Sequence, residues 1–455
     1  MNQSERRATA SLAAVFAMRL LGLFMIYPVF AAYAHGLKGA TAETIGLALG
    51  AYGLTQGLLQ IPFGLLSDRV GRKVMILIGL LFFAAGSVIA ARAGSVEGVL
   101  IGRIVQGAGA VGSVILALIA DLTREEVRTR AMAMVGATIG LSFALAIVVG
   151  PLLAASIGVP GIFWLTGVFA LCGIAITFGA VPAQARVRRH RDAEAVPAMF
   201  ARVLRNGELL RLDFAIFVLH AILTASFLAV PLLLARTFRL GEAGAWMIYL
   251  PVLAISVALM VPAVIVAETR GRMKEVFIGA ILVVVASMAA LAWAEGSAVA
   301  AFVALVAFFA AFNTMEAMLP SLVTKIAPVD AKGTATGIYS SSQFLGIFVG
   351  GTVGGLAFAA GGARGVFLLA AVLALIWLAV AVSMRRPVRS SNRMVHLGAI
   401  DAREAAALAA RLAGLPGVLE ASVAAEEGTA YLKVDRERFE AASLDEIIGA
   451  QGKVA

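Results

Sequence analysis

Residues 61–76 read IPFGLLSDRVGRKVMI, two apolar segments joined by a short charged segment. The stretch VPAVIVAETRGRMKEV at 261–276 repeats this arrangement 200 residues later, with proline, glycine and arginine at matching positions. Nearer the N-terminus, AVFAMR at 14–19 lies over AIFVLH at 215–220 with an offset of 201. The chain is therefore predicted to consist of two related halves in tandem.

The two stretches belong to a chain of 455 residues that is 61% hydrophobic and 14% charged, with a mean hydropathy of +0.95. This composition is typical of membrane proteins rather than soluble domains. A helix needs about 20 apolar residues to cross a bilayer. Twelve such runs, numbered here as spans 1 to 12, lie at 11–34, 43–66, 74–92, 96–120, 131–155, 161–181, 212–235, 244–267, 275–294, 298–323, 334–360 and 363–384.

All twelve spans are predicted to be helices, because unpaired backbone groups are costly in lipid and the runs lack the alternation of barrel strands. The predicted fold is an all-α membrane protein with two parallel six-helix halves, an architecture of secondary transporters. The first run is too long for a signal peptide and is expected to remain in the protein.

The loop charges predict the orientation. With the N-terminus inside, the inner loops hold 20 Lys and Arg residues and the outer loops hold five. This bias predicts that both termini lie in the cytoplasm. The formal charge of +10 then reflects topology and attraction to anionic lipid, and nucleic acid is not expected as a partner.

The sequence predicts five regions: a first half at 1–181, a cytoplasmic linker at 182–211, a second half at 212–384, a short linker at 385–392 and a small soluble domain at 393–455. The first linker has a possible amphipathic piece at 198–211. In the small domain, strands are predicted at 394–400, 418–426 and 429–435. Helices are predicted from Asp401 to Gly414 and over 443–451, which gives a ferredoxin-like order.

No cofactor or metal is expected. Cys172 is the only cysteine, so intrachain disulfides and Cys-based metal sites are excluded. The small domain lacks a Cys-x-x-Cys in its first loop, so copper carriage is not expected. Regulation, lipid contact, self-association or a merely solubilising role remain open for it. The chain has no G-x-x-x-x-G-K-[ST] motif that would indicate an ATP-driven pump.

Two motifs resemble those of the major facilitator superfamily. The stretch GLLSDRVGRK at 64–73 is similar to the family's loop between its second and third helices, and LIGRIVQGAGA at 100–110 resembles its fourth-helix motif. The resemblance extends over about residues 8–384. It implies alternating access between the two halves.

The charged loop is a candidate cytoplasmic gate. The loop residues alone predict a chain turn at Gly71 and a carboxylate that can interact with the N-terminus of a neighbouring helix. The resemblance implies that Asp68 meets the start of span 11, around 333–340, in the outward-facing state, and that Arg69 or Arg72 pairs with Asp121. The alternative is a simple positive-inside turn. The predicted gate residues are Gly64, Asp68, Arg69, Gly71, Arg72, Lys73, Asp121 and Gly337.

A weaker second gate is predicted at Glu268, Gly271 and Arg272, where Glu268 replaces Asp and Met273 replaces Lys. Helix packing is assigned to Gly107 and Gly109 in span 4 and to Gly150 and Pro151 in span 5. Antiporters of the family usually carry Gly-x-x-x-Gly-Pro-x-x-Gly-Gly in the fifth helix. Here three of those glycines are alanine, so the resemblance supports antiport only in part.

Polar side chains inside the spans are candidates for proton coupling or cavity lining, because each is costly unless it faces protein or water. Arg19 could instead snorkel, Arg103 could bond backbone carbonyls, and His220 could be a core histidine. We expect Glu316, the only acid that we assign to the span interiors, to be the coupling carboxylate, supported by His220 or Arg19. The remaining candidates are Asn313, one turn before Glu316, and Gln343; Gln56 and Gln60 are further possible cavity liners.

The sequence therefore predicts a secondary transporter, not an enzyme, that exports small apolar or cationic compounds in exchange for protons. Its expected partners are a small-molecule substrate, protons and membrane lipids. The protein is expected to be a monomer, with possible self-association through the small domain. A proton-coupled nutrient importer and a membrane sensor with the small domain as output are the alternatives.

Overall fold

The computed structural model describes residues 1–182, 197–240, 244–385, 390–398, 400–425, 428–435 and 438–439. In the first half, span 1 comprises helices α1 (Gln3–Phe24) and α2 (Tyr27–Ala34). Span 2 is α3 (Ala42–Val70), span 3 is α4 (Arg72–Arg92), and span 4 comprises α5 (Val96–Ala108) and α6 (Gly112–Leu122). Spans 5 and 6 lie in α7 (Glu125–Gly179), which is interrupted at Gly158.

In the second half, a 3-10 turn (Pro197–Met199) and the short α8 (Phe200–Leu204) precede span 7, α9 (Gly207–Phe238). Spans 8, 9 and 10 are α10 (Trp246–Thr269), α11 (Met273–Leu291) and α12 (Ala298–Ile326). Spans 11 and 12 lie in α13 (Lys332–Val382), interrupted at Gly361 and Gly362. All twelve predicted spans are thus helical, and the predicted membrane fold is confirmed.

Both halves start with an asparagine cap. The Asn2 side chain accepts from the backbone N–H of Glu5, and the Asn206 side chain accepts from those of Glu208 and Leu209. Such caps satisfy amide groups that have no partner within the first helical turn. The two caps are alike in chemistry, but they lie 204 positions apart rather than 201, so they are not repeat-related positions.

Span 4 differs from the continuous helix predicted at 96–120. The structure divides it between Ala108 and Gly112, where the N–H of Val111 bonds to the carbonyl of Gly109 instead of continuing the helical ladder. A Cβ atom at Gly109 would collide with the backbone of Gly79 in span 3. Close packing of spans 3 and 4 therefore accompanies the break.

The two halves pack through small residues at one end of the bundle. We call this the outer end; the inner end is the one at which span 1 begins. Gly46 and Gly50 of span 2 lie against the backbone of Gly351 and Phe348 in span 11, where a side chain would collide. Tyr27 of span 1 stacks on Phe227 of span 7, with ring centroids 5.5 Å apart.

The C-terminal domain is small and has its own apolar core. Strands β1 (Ser390–His396), β2 (Val418–Ala424) and β3 (Thr429–Asp435) form an antiparallel sheet in the order β1-β3-β2, with α14 (Ala402–Ala413) after β1. Asp401 caps α14, as predicted. This topology fits the predicted ferredoxin-like fold.

The first strand was predicted at 394–400 and that position is wrong. It starts at Ser390, because its whole length pairs with β3 from Asp435 back to Thr429, and Gly398 follows with a φ of 76°. The predicted helix at 443–451 lies outside the described residues. The predicted region boundaries at 181, 211, 384 and 392 remain predictions.

Candidate functional site

Arg72 lies between two carboxylates at the inner end of the first half. Gly71 adopts a φ of 104°, which turns the chain between spans 2 and 3 and directs Arg72 inward. The Arg72 Nη1 atom lies 2.5 Å from Oδ1 of Asp68, and its Nε atom lies 3.2 Å from Oδ2 of Asp121. Arg69 is exposed. Of the two arginines predicted to pair with Asp121, the structure therefore places Arg72 there.

The inner halves of spans 2 and 11 are separated by a recess of about 50 Å³ that opens to solvent. Asp68 and Arg72 line it on one side, and Gly333, Gly337 and Ser340 line it on the other. Gly64 also faces this recess. Asp68 and the start of span 11 thus line one space without a hydrogen bond between them in the described residues. This geometry is that of a bundle open at its inner end.

The lysines of the two charged loops make the same contact in both halves. Nζ of Lys73 donates to the carbonyl of Val181 at 2.7 Å, and Nζ of Lys274 donates to that of Val382 at 2.9 Å. Both donor and acceptor differ by 201 positions between the halves. Lys274 rather than Met273 is thus the structural counterpart of Lys73, because the repeat offset changes from 200 to 201 after Arg272.

The second gate has the reverse polarity. Glu268 accepts from Lys325 at 2.7 Å and from Ser321 at 3.0 Å. In the first half the acid, Asp121, stands at the end of span 4 and the arginine in the loop; here the cation stands at the end of span 10. Gly271 has a φ of 66°, and Arg272 is exposed, unlike Arg72.

Two buried arginines flank Tyr52 in the first half. Arg19 donates to the Tyr52 hydroxyl, and to Oε1 of Gln56 at 2.5 Å. Arg103 donates to Gln106 at 3.1 Å, and its guanidinium carbon lies 5.0 Å from the centroid of the Tyr52 ring. Arg19 is 2% exposed and Arg103 is 1% exposed, so neither snorkels. Gln56 continues the network by donating to Gln60 at 3.0 Å.

The glycines assigned to helix packing lie in close contacts. A Cβ atom at Gly107 would meet the backbone of Tyr52, and one at Gly150 would lie 2.6 Å from the carbonyl oxygen of Met25. Pro151 lies within α7. These contacts join span 4 to span 2 and span 5 to span 1.

Three of the predicted polar residues meet in the second half. Nε2 of His220 lies 3.6 Å from Oε1 of Glu316 and 2.9 Å from Nε2 of Gln343. Nδ1 of His220 lies 3.3 Å from the carbonyl oxygen of Ile216. This pattern fits a neutral imidazole that donates through Nδ1 and accepts through Nε2.

The Glu316 side chain is partly buried and partly exposed to solvent. Its Oε1 atom is buried without a hydrogen bond, whereas 28% of its side chain is exposed. Phe312, one turn before it, packs on Phe143 of the first half with ring centroids 5.7 Å apart, so this face of span 10 is turned toward the space between the halves. A carboxyl in this position can exchange a proton with solvent on its exposed side, and it lies against protein groups on its buried side.

Two predicted neighbours of Glu316 lie elsewhere. Asn313 donates to Oγ of Ser256 in span 8 at 3.0 Å, because a spacing of three residues turns it toward that helix. Arg19 belongs to the Tyr52 network of the first half. His220, not Arg19, is therefore the basic residue beside Glu316.

Sequence reasoning missed Tyr52, Asp213 and Tyr339. Asp213 is 8% exposed within span 7, so it is a buried acid that the list of polar span residues lacked beside Glu316. Asp213 stands at the predicted edge of span 7, where a carboxylate is ordinarily solvated. Its spacing of seven residues from His220, which puts both on one helix face, was the available signal.

The C-terminal domain contacts the loop between spans 10 and 11. Asp330 of this loop accepts from Arg202 at 2.9 Å and from Ser422 at 3.2 Å, and Arg202 also pairs with Glu420 at 2.7 Å. Val329 packs against Ala424, Tyr431 and Met394. Lys433 donates to the carbonyls of Ile326 and Ala327, and burial lowers its pKa from the usual value. The domain therefore holds the segment that leads into span 11.

Comparisons with known proteins agree with this architecture. The Major Facilitator Superfamily model matches residues 12–267 and 212–419. The inner membrane transport protein YajR of Escherichia coli (strain K12) is 43% identical over 444 residues, which cover 97% of each chain. The multidrug resistance protein MdtH of Aeromonas hydrophila is 28% identical over 352 residues, which cover 74% of this chain and 82% of that protein.

Among solved structures, a bacterial homologue of the human lysosomal transporter Spinster, in an inward-facing and occupied conformation, superposes with a TM-score of 0.70. The sequence identity is 14%, and the match covers 85% of this chain and 98% of that one. At this low sequence identity, the likeness shows a shared fold alone.

Proposed function

The chain belongs to the major facilitator superfamily, and on this premise we propose that it exports small apolar or cationic compounds in exchange for protons. Its place would be a bacterial inner membrane, as the name of the related YajR says of that protein, with both termini in the cytoplasm. The similarity to MdtH, a multidrug resistance protein by name, supports export. The observation that carries the proposal is the position of Glu316.

Glu316 has no cationic partner among the described residues when His220 is neutral. An ionised carboxylate in a membrane interior is costly without a compensating charge. A proton or a cationic substrate can each supply that charge, so the two exclude one another at this side chain. Such exclusion is the requirement for exchange: the proton leaves when the substrate binds at the inner end, and it returns after the substrate is released outside.

The recess at the inner end gives the substrate a route. It lies between Asp68 and the start of span 11, and the ion pair of Asp68 with Arg72 gives its wall a polar surface. The outer end is closed by the glycine contacts of spans 2 and 11 and by the stacked Tyr27 and Phe227. Alternating access requires the reverse arrangement in the other state.

The experiment is flux of ethidium, a fluorescent cation, into proteoliposomes with an acidic lumen. Exchange predicts uptake that depends on the outward proton gradient and exceeds that of protein-free liposomes. Uptake driven by the opposite gradient would instead identify a proton-coupled importer. Absence of flux for ethidium and for a panel of apolar and anionic dyes would contradict a transporter and favour a sensor.

We expect Asp68→Asn to shift the protein toward the state open at the inner end. A carboxylate at a helix N-terminus is worth about 1 kcal/mol, so loss of its contact with span 11 in the outward-facing state should change the ratio of states about fivefold. The measurement is the labelling rate of Ser340→Cys at the recess, in a Cys172→Ser background. The control is Arg69→Gln, since Arg69 is exposed. Equal labelling in the Asp68→Asn protein and its parent would contradict the latch.

We expect the C-terminal domain to modulate transport without carrying it. Truncation after Arg389 removes the contacts with Asp330 and Val329 but leaves every span intact. Folded yield should persist, and the ethidium exchange rate should change about two- to fivefold, because surface ion pairs and one small apolar contact stabilise by roughly 1 kcal/mol. Ser422→Ala and Val329→Ala should reproduce part of the change in the full chain. Complete loss of exchange from a folded truncated protein would contradict this role.

A further inference from the structure

Asp213 is a buried carboxyl that the proposed exchange does not yet use. It lies in span 7, is 8% exposed, and forms neither a hydrogen bond nor an ion pair in the described part of the chain. Among the residues that the structure describes, no neighbouring charge offsets its burial. Since ionisable groups inside membrane proteins are costly, a carboxyl kept there without a partner points to proton exchange.

Its position connects it to the Glu316 site. Asp213 and His220 lie on one face of span 7, about 10 Å apart along the helix axis, with Asp213 nearer the inner end. Span 11 packs on span 7 at Gly346, which contacts the backbone of Phe217. One helical turn from the Gln343 that bonds His220, span 11 carries Tyr339.

Tyr339 is a buried neighbour of both acids. It is 5% exposed, and it lies near enough to Glu316 and to Asp213 for the charge of each to act on its hydroxyl. Asp213 and Glu316 thus lie in one region of the second half, on two of the helices that pack around span 11. Two like charges in such a region resist simultaneous ionisation and titrate as a pair.

The other charged groups on the neighbouring elements are engaged elsewhere. On span 7 itself, Glu208 and Arg211 pair with each other at 3.0 Å. On the elements packed against it, Asp68 of span 2 pairs with Arg72, Lys325 of span 10 pairs with Glu268, and Arg202 of α8 pairs with Asp330 and Glu420. Lys332, at the start of span 11, has contacts of its own.

We propose that Asp213 is a second proton-exchanging carboxyl of the transport cycle, coupled electrostatically to Glu316 in the region around Tyr339. The inference rests on the proposed proton exchange and extends it. When the pair holds one proton and Glu316 is the ionised member, a cation that binds at Glu316 offsets its charge and removes the repulsion that keeps Asp213 protonated. Asp213 then releases that proton, so both carboxyls contribute to the protons released when a cation binds.

The first test is proton release when ethidium binds to the purified full-length protein in weakly buffered detergent. We expect Asp213→Asn to release about half as many protons per bound ethidium as the wild type, and Glu316→Gln to release fewest. Glu208→Gln, which removes a carboxyl of the same helix outside this region, should match the wild type. Wild-type release from Asp213→Asn would overturn the inference while leaving the Glu316 exchange intact. Undiminished release from Glu316→Gln would instead contradict the proposed function.

The second test needs no substrate. Infrared difference spectra between acidic and alkaline buffers should show a protonated-carboxyl band that Asp213→Asn removes and Asp213→Glu displaces. In Glu316→Gln this band should titrate at lower pH, because a neutral neighbour no longer favours the protonated form of Asp213. A titration midpoint unchanged by Glu316→Gln would overturn the coupling, and absence of a band assigned to Asp213 would overturn its proton exchange.

Discussion

Glu316→Gln is expected to lower proton-driven ethidium exchange at least tenfold. The amide keeps the size of the side chain and its place beside His220, but it can neither release a proton nor compensate a cation. An interaction that is lost with a charged, partly buried group is worth about 1.5–3 kcal/mol, which corresponds to a tenfold to hundredfold effect. The measurement is initial ethidium uptake by proteoliposomes with an acidic lumen.

Ethidium affinity should also lose its pH dependence in this variant. In the wild type, protons and ethidium compete for Glu316, so affinity should rise as pH rises from about 5.5 to 8.5. In Glu316→Gln it should be low and nearly flat, apart from the contribution of Asp213. Glu295→Gln is the control, because Glu295 is an exposed carboxyl at the outer end. Wild-type exchange and pH dependence in Glu316→Gln would leave His220 as the next candidate.

Arg72→Met is expected to lower the free energy of unfolding by about 3–5 kcal/mol, the cost of removing one partner from a buried ion pair. The Arg72 side chain is 0% exposed, and it lies between Asp68, at 16%, and Asp121, at 0%. Methionine fills a similar volume but leaves both carboxylates without this counter-charge. The measurement is thermal unfolding of the purified protein in detergent.

Arg69→Met gives a matched comparison three residues earlier in the same loop. Because Arg69 is exposed, its loss should change the free energy of unfolding by less than about 0.5 kcal/mol. Adding Asp121→Asn to Arg72→Met should recover part of the lost stability, because it removes one of the two carboxylates that Arg72→Met leaves without this counter-charge. Equal unfolding temperatures for Arg72→Met and Arg69→Met would show that the buried ion pair contributes no net stability.

The sequence predicted many of the residues of the candidate site, but few of the contacts between them. Arg19, Arg103, His220 and Glu316 could be chosen because a polar side chain in an apolar run is costly wherever it lies. Their partners could not be chosen in this way. Asn313 and Glu316 are three residues apart and face different helices, whereas His220 and Gln343 are more than a hundred residues apart and in contact.

The sequence by itself determined the twelve spans, the two related halves and the charged loops, because each depends on the length, polarity and repetition of a local run. Only the tertiary structure decided that Arg72 rather than Arg69 meets Asp121, that Lys274 rather than Met273 matches Lys73, and that Asp213 is buried. The physical reason is that hydrophobicity fixes a helix's position along the membrane normal. Its rotation, its crossing angles and the partners of its polar groups are set by packing against other helices.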